Sequence, residues 1–317
     1  MSRYRHQLPQ LQGHTLITDG GLETTLVFHE GLDLPEFAAY TLLESDSGRH
    51  ILQDYFDRYT GIARHYQRGF VLESVTWRAN PDWCARIGHS PEDMHRINRE
   101  AIEFLQPLRD KYDSPATPYV ISGCIGPRHD AYAPELIMSA AEAETYHWPQ
   151  IKTLAGTDAD CVTAMTLTNV NEATGIARAA QKAGIPVVIS FTVETDGCLP
   201  TGETLDEAIT QVDQATGAGP AYYMINCAHP THFGEQLAAS RQRHRIRGLR
   251  ANASKCSHAE LDGCEQLDQG NPQELGQEYQ HLLALLPHIS VLGGCCGTDH
   301  RHIEQICCQS AGLRQVS

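Results

Sequence analysis

The sequence "SVLGGCCGTDH" (290–300) sets two adjacent cysteines, Cys295 and Cys296, between glycines at the end of an apolar run. Thiols side by side can form a disulfide, cycle between dithiol and disulfide, or bind a soft metal ion. A further cysteine, Cys227, closes another apolar segment, "AYYMINC" (221–227), and Cys124 closes "PYVISGC" (118–124). Three cysteinates suit zinc and leave one coordination position for substrate, whereas a fourth closes a structural site. The spacing of Cys227, Cys295 and Cys296 differs from the paired CxxC pattern of zinc ribbons and gains weight only if strand ends bring the three together, with Cys124 as a candidate fourth. For adjacent residues to reach one ion the backbone must turn sharply. Gly293, Gly294 and Gly297 are expected to permit the dihedrals this requires.

Those thiols have to be positioned by eight short segments rich in β-branched and apolar residues: 15–21, 69–75, 118–124, 161–167, 186–192, 221–227, 246–252 and 289–295. Most are near-continuous apolar runs, the pattern of parallel strands covered on both faces. Helical patterns with caps fall between them, as in 169–184, which closes on Gly184, and 204–219 and 271–287. Thr298 or Asp299 caps a last helix. Strand and helix alternating eight times predicts a closed (β/α)8 TIM barrel, an α/β fold, as one domain over 1–317. An open doubly wound sheet is disfavoured because "DGGLETT" lacks a dinucleotide-binding glycine pattern. The stretch 76–117 reads as an extended loop plus a long helix, with no role assigned. In a barrel the carboxyl ends of the strands face the site, so Cys227 and Cys295–Cys296, from the sixth and eighth strands, converge on one mouth.

Composition narrows the partners. The chain has 317 residues, net charge −15 and 41% hydrophobic residues, which disfavours nucleic acid and anionic membranes and allows a large core. No apolar run of about 18 residues marks a membrane span, and the start has no secretory pattern, so a cytoplasmic location is expected. Eleven cysteines there should stay mostly reduced. Cys161, Cys307 and Cys308 read as small core residues, and the basic run "RQRHRIRGLR" (241–250) as a solvated helix end.

With these pieces in place the chain resembles the homocysteine S-methyltransferase family. The matching segments are "DGGLETTL" (19–26), "GCIGPRHDAY" (123–132), "VVISFTV" (187–193), "INC" (225–227) and "GGCCGT" (293–298), in the family's order. The resemblance implies a (β/α)8 barrel, zinc held by Cys227, Cys295 and Cys296, and methyl transfer from a sulfonium or quaternary-ammonium donor to a zinc-bound thiol, most simply homocysteine giving methionine. It also implies Asp19 and Gly20 against the amino-acid substrate, with Ser74 and Asn226 among the substrate-facing residues. Two departures stand out. Where the family has a glutamate at the end of the fourth strand this chain has Met165, and the second strand ends in "ESVTWRAN" (73–80). Glu73 is expected to supply the missing carboxylate, unless it merely pairs with Arg78 or another charge; Glu23 is a second candidate. Trp77 and Tyr132 are possible faces for a methylated cation. The alternatives are another small thiol as acceptor, a barrel that binds thiol or methylated cation without turnover, and a redox role for Cys295–Cys296. The expected partners are a thiol acceptor and a methyl donor; oligomeric state and donor identity are not fixed by sequence.

Overall fold

The computed structural model describes residues 1–132, 136–264 and 266–311. Eight parallel strands close into a barrel in chain order: β1 (Leu16–Ile17), β2 (Gly69–Glu73), β3 (Tyr119–Ile125), β4 (Cys161–Leu167), β5 (Val187–Phe191), β6 (Tyr222–Asn226), β7 (Ile246–Ala251) and β8 (Val291–Gly294). The ring closes between β1 and β8, with Leu16 opposite Val291 and Ile17 opposite Leu292. A helical turn, α1 (Leu22–Thr24), follows β1, and α2 (Asp46–His65) leads into β2. Further round are α3 (Pro81–Ile87), α4 (Pro91–Tyr112), α5 (Ala140–Ala155), α6 (Val170–Ala183), α7 (Leu205–Thr216) and α8 (Pro230–Ala239). The last are α9 (His258–Asp262), α10 (Pro272–Leu285) and α11 (His300–Ser310).

Local chemistry sets the helix boundaries. Capping boxes, in which a hydroxyl and a carboxylate three residues apart satisfy each other's backbone N–H, open α4 (Ser90 and Asp93), α5 (Ser139 and Glu142), α7 (Thr204 and Glu207) and α9 (Ser257 and Glu260). Asp299, not Thr298, caps α11. The stretch 76–117 contains two helices, because Gly88 ends α3 in a left-handed conformation (φ 93°) and Ser90 then starts α4.

The barrel interior is layered. Leu16, Val71, Val120, Cys161, Val188, Tyr222, Met224 and Val291 pack together, and Leu8 from the amino-terminal segment joins them. Gln10 donates to the Tyr222 hydroxyl at 3.1 Å, so this segment plugs the amino-terminal end of the barrel. Two residues further along, on the same inward face, the layer turns polar. Ser122 and Thr163 hydroxyls meet at 2.7 Å, Ser190 donates to Asn226 at 2.6 Å, and Arg250 reaches Glu73 at 3.2 Å. A polar floor on an apolar plug leaves the carboxyl-terminal mouth as the reactive end. The basic run 241–250 is corrected here: 243–245 form a short 3-10 turn, Arg245 pairs with Asp213, and Arg250 is buried inside the barrel. Cys161 and Cys307 are buried as expected, whereas Cys308 is exposed. Among the described residues no helix is long and apolar enough to cross a membrane.

Candidate active site

Cys227 sits one residue beyond β6 with φ 55°, a left-handed conformation that costs a non-glycine residue about 1–3 kcal/mol. Its carbonyl oxygen collects three donors: the His258 ring N–H at 2.7 Å, Asn252 Nδ2 at 3.1 Å and the Thr192 hydroxyl at 3.3 Å. Those bonds hold the strained peptide, and His258 is itself held by Glu194 at 3.0 Å. Thr166, at the end of β4, has φ 61° although it is β-branched. It is pinned by Asn226, which accepts from the Thr166 N–H at 2.9 Å and donates to its hydroxyl at 2.8 Å.

Cys295 and Cys296 follow β8. Only Gly297 of the three flanking glycines has a positive φ (77°). Gly293 and Gly294 have another physical reason: a Cβ on Gly293 would strike the Thr18 side chain, and one on Gly294 the Thr298 side chain. They allow close approach rather than unusual dihedrals, which corrects the sequence expectation. The Cys295 N–H donates to Ala251 O at 2.8 Å, and the Ala253 N–H to Cys296 O at 3.1 Å, tying the pair to β7 and the loop after it.

The sulfurs of Cys227, Cys295 and Cys296 lie within 4.8 Å of one another. Cys227 and Cys295 are joined as a disulfide, and Cys296 Sγ stands 3.9 Å from Cys227 Sγ. The pairing therefore links the ends of two strands rather than the adjacent residues Cys295 and Cys296. Each sulfur has a neutral donor beside it: Thr166 Oγ1 at 3.9 Å from Cys227, Asn226 Nδ2 at 3.7 Å from Cys295, and the Tyr132 hydroxyl at 3.6 Å from Cys296. Burial first, then Cys296, raises the Tyr132 phenol well above its ordinary range, so it stays protonated and donates. Cys124 is buried in the same cavity but is not among the three-sulfur group, so a four-cysteine closed site is not formed among the described residues.

The cavity at this mouth has a volume of about 390 Å³. Asp19 and Glu73 both line it, and Arg250 takes both: Nη2 meets Asp19 at 2.6 Å and Nη1 meets Glu73 at 3.2 Å. Arg250 also donates to Gly294 O at 3.0 Å and Gly20 O at 3.3 Å, and Tyr55 donates to Asp19 at 2.9 Å. Burial pushes Glu73 up to about 7, and Arg250 offsets part of that. Glu73 thus pairs with a buried cation, and that cation is not Arg78. Glu23 has no ion-pair partner among the described residues, and burial pushes it up to about 7, with Asp19 adding repulsion. Ser74 braces the loop, its hydroxyl accepting from the Cys124 N–H at 2.9 Å. Met165 lines the cavity, and its carbonyl accepts from Trp77 Nε1 at 3.4 Å.

Trp77 carries the Arg78 guanidinium 4.1 Å from its ring centroid, so one indole face is already in use. Tyr132 stacks on His258 with centroids 4.1 Å apart. Sequence reading did not single out Arg250 or His258. Arg250 had a signal: a charge at an inward position of β7, three residues after Arg247 on the opposite face. His258 had none, since tertiary contact alone sets the first residue of α9 against the Cys227 carbonyl.

Comparison with known proteins agrees with this geometry. The model of the homocysteine S-methyltransferase family matches residues 16–309. The chain belongs to that family. Methionine synthase from Mycobacterium tuberculosis is 33% identical over 153 residues, covering 45% of this chain and 12% of that protein. Methionine synthase from Mycobacterium leprae is 32% identical over 140 residues, 42% of this chain and 11% of that protein. The matched part of the chain therefore covers only about an eighth of the length of these relatives. In fold it is similar to the Escherichia coli homocysteine methyltransferase MmuM. The metallated form superposes with a TM-score of 0.73 at 17% identity, covering 96% of this chain and 99% of that one. The oxidized form gives 0.72 at 18% identity, covering 93% and 96%.

Proposed function

We propose that this protein is a zinc-dependent S-methyltransferase that moves a methyl group from a sulfonium or quaternary-ammonium donor to a small thiol, homocysteine first among them. The observation that carries this reading is the convergence of three sulfurs within 4.8 Å at the carboxyl mouth of a barrel of this family. Their spacing fits the metal: zinc–sulfur bonds of about 2.3 Å place tetrahedral sulfurs about 3.8 Å apart, close to the 3.9 Å between Cys227 and Cys296. The fit requires Cys227 and Cys295 as thiols, so reduction of their disulfide precedes loading. Zinc held by Cys227, Cys295 and Cys296 would supply a Lewis-acid position at which an incoming thiol ionises near neutral pH.

The chain's own residues do the rest. Thr166, Asn226 and Tyr132 each offer a hydrogen bond to one sulfur, spreading the negative charge of three thiolates. His258, Asn252 and Thr192 lock the strained Cys227 peptide and so fix where the site opens. Glu23 is a cavity carboxylate with no ion-pair partner among the described residues and is placed to receive a substrate ammonium, whereas Arg250 engages Asp19 and Glu73. Asp19 and Gly20 then act through Arg250, holding its guanidinium in place. Alignment of sulfur, methyl carbon and leaving group is the main catalytic task, since the transfer neutralises a cation and an anion together.

A second reading has its own observation. With Asp19 and Glu73 both engaged by Arg250, and Met165 apolar, the site also suits a small thiol that has no ammonium group. The deciding experiment is a methyl-transfer assay on reduced, zinc-loaded protein with S-methylmethionine, betaine and S-adenosylmethionine as separate donors. Homocysteine and mercaptopropionate serve as acceptors. Methionine formation abolished in Cys295→Ala supports the first reading; methylation of mercaptopropionate alone selects the second. Bound zinc with no product from any pair would leave a binding protein.

A further inference from the structure

Arg78 follows β2 and lines the cavity together with Glu23, Met165 and the three cysteines. It is 8% exposed, yet it forms no ion pair among the described residues. Its Nε and Nη1 are buried without a hydrogen-bond partner. Two indole rings lie against the guanidinium, with centroids 4.1 Å (Trp77) and 3.7 Å (Trp83) away. Stacking engages the faces of a guanidinium, while its N–H bonds point outward in its plane. The rings therefore hold the group rigidly and satisfy none of its donors. Buried donors without acceptors are costly. Burial pulls Arg78 down to about 10, and the fields of Asp130, Glu23 and Glu36 offset part of that. The contrast with Arg250 is sharp, since that guanidinium spends its nitrogens on Asp19, Glu73 and two backbone carbonyls.

A planar cation, clamped on its faces and unpaired at its edge, matches a planar anion that arrives edge-on. We propose that Arg78 is the carboxylate-binding residue of this cavity, receiving the carboxylate of a small amino-acid-like ligand through its in-plane N–H groups. The proposal rests on the methyl-transfer reading for the nature of the ligand. Thiol acceptor and methyl donor both offer such a carboxylate, and the experiment separates them. Trp77 on this view supports the guanidinium rather than caging a methylated cation.

The test follows tryptophan fluorescence of the reduced protein, wild type and Arg78→Gln, on titration with two matched pairs. Homocysteine is set against aminopropanethiol, its decarboxylated counterpart, and betaine against choline. Arg78→Gln is expected to weaken homocysteine or betaine by about tenfold to a hundredfold, the range for a lost charged hydrogen bond, and to leave the decarboxylated partner unchanged. The pair that responds names the source of the carboxylate. Should the glutamine variant fail to fold, Arg78→Lys keeps the charge without the planar fork and is expected to weaken the acid several-fold. Equal affinities in wild type and variants overturn the proposal, as does wild-type protein that binds neither acid or binds each acid no better than its counterpart. Methyl transfer with unchanged KM in the variants removes the carboxylate role and leaves the transfer standing. Arg78-dependent acid binding without methyl transfer does the reverse.

Discussion

Tyr132 and Glu23 show how single side chains tune a cluster of thiols. The Tyr132 hydroxyl lies 3.6 Å from Cys296 and its ring stacks on His258, so Tyr132→Phe removes one donor and leaves the stack. Zinc affinity of that variant should fall by about tenfold to a hundredfold, the usual effect of losing a partner of a metal ligand; competition with a chromophoric chelator measures it. Desolvation in the cavity pushes the half-buried Glu23 carboxyl up to about 7 from its ordinary 4.5. Its folded pKa is raised, so the native state binds the extra proton. The resulting stability is full below about 4.5 and is lost as pH rises through about 7. Glu23→Gln should flatten the decline of Tm across that window, and an unchanged Tm-against-pH curve would show that Glu23 is not the titrating group. Residue types at this scale were legible to different degrees. Cys227, Cys295 and Cys296 announced themselves by chemistry. The unpaired state of Arg78 did not, because pairing is a property of neighbours rather than of a side chain.

Elements aim these groups through short stretches of unusual backbone. At β8 the glycines let the chain pass against Thr18 and Thr298, which draws the strand end carrying Cys295 toward β1. Gly294→Ala places a Cβ against Thr298 and is expected to destabilise the fold by about 1–3 kcal/mol, as overpacking does, and to lower bound zinc. Urea melts and metal analysis check both effects. Loss of stability with full zinc occupancy would mean that the close approach does not place the cysteines. The element pattern was readable in advance because parallel strands buried on both faces give continuous apolar runs and capping residues mark helix starts. Misread was the segment 241–250, where a run of basic residues hid a short turn and the start of β7. Local charge suggested solvent, while the barrel required a strand, and tertiary pairing prevailed.

Across the whole molecule Arg250 ties β7 to the mouth residues of β1 and β2, partners 231 and 177 residues away in sequence. Arg250→Leu leaves two buried carboxylates without a counter-charge, an expected loss of about 3–5 kcal/mol. The triple variant with Asp19→Asn and Glu73→Gln should recover most of it, because the charges are then removed together. Equilibrium denaturation of the two proteins decides this, and equal stability would mean that the buried pairs hold nothing. The same clamp bears on acceptor choice, since it engages two carboxylates that a reader of sequence would reserve for an ammonium group. By itself the sequence determined the barrel, through eight apolar runs separated by capped helices, and the three sulfurs, through cysteines at strand ends, Cys295 and Cys296 between glycines and Cys227 closing the sixth apolar run. Both are patterns of local composition and period. The tertiary structure alone decided that Arg250 claims Asp19 and Glu73, that Glu23 and Arg78 face the cavity with no ion-pair partner among the described residues, and that Cys124 stands apart from the sulfur cluster. The physical reason is that charge pairing and sulfur distances are set by where strands remote in sequence finish, which only closure of the barrel fixes.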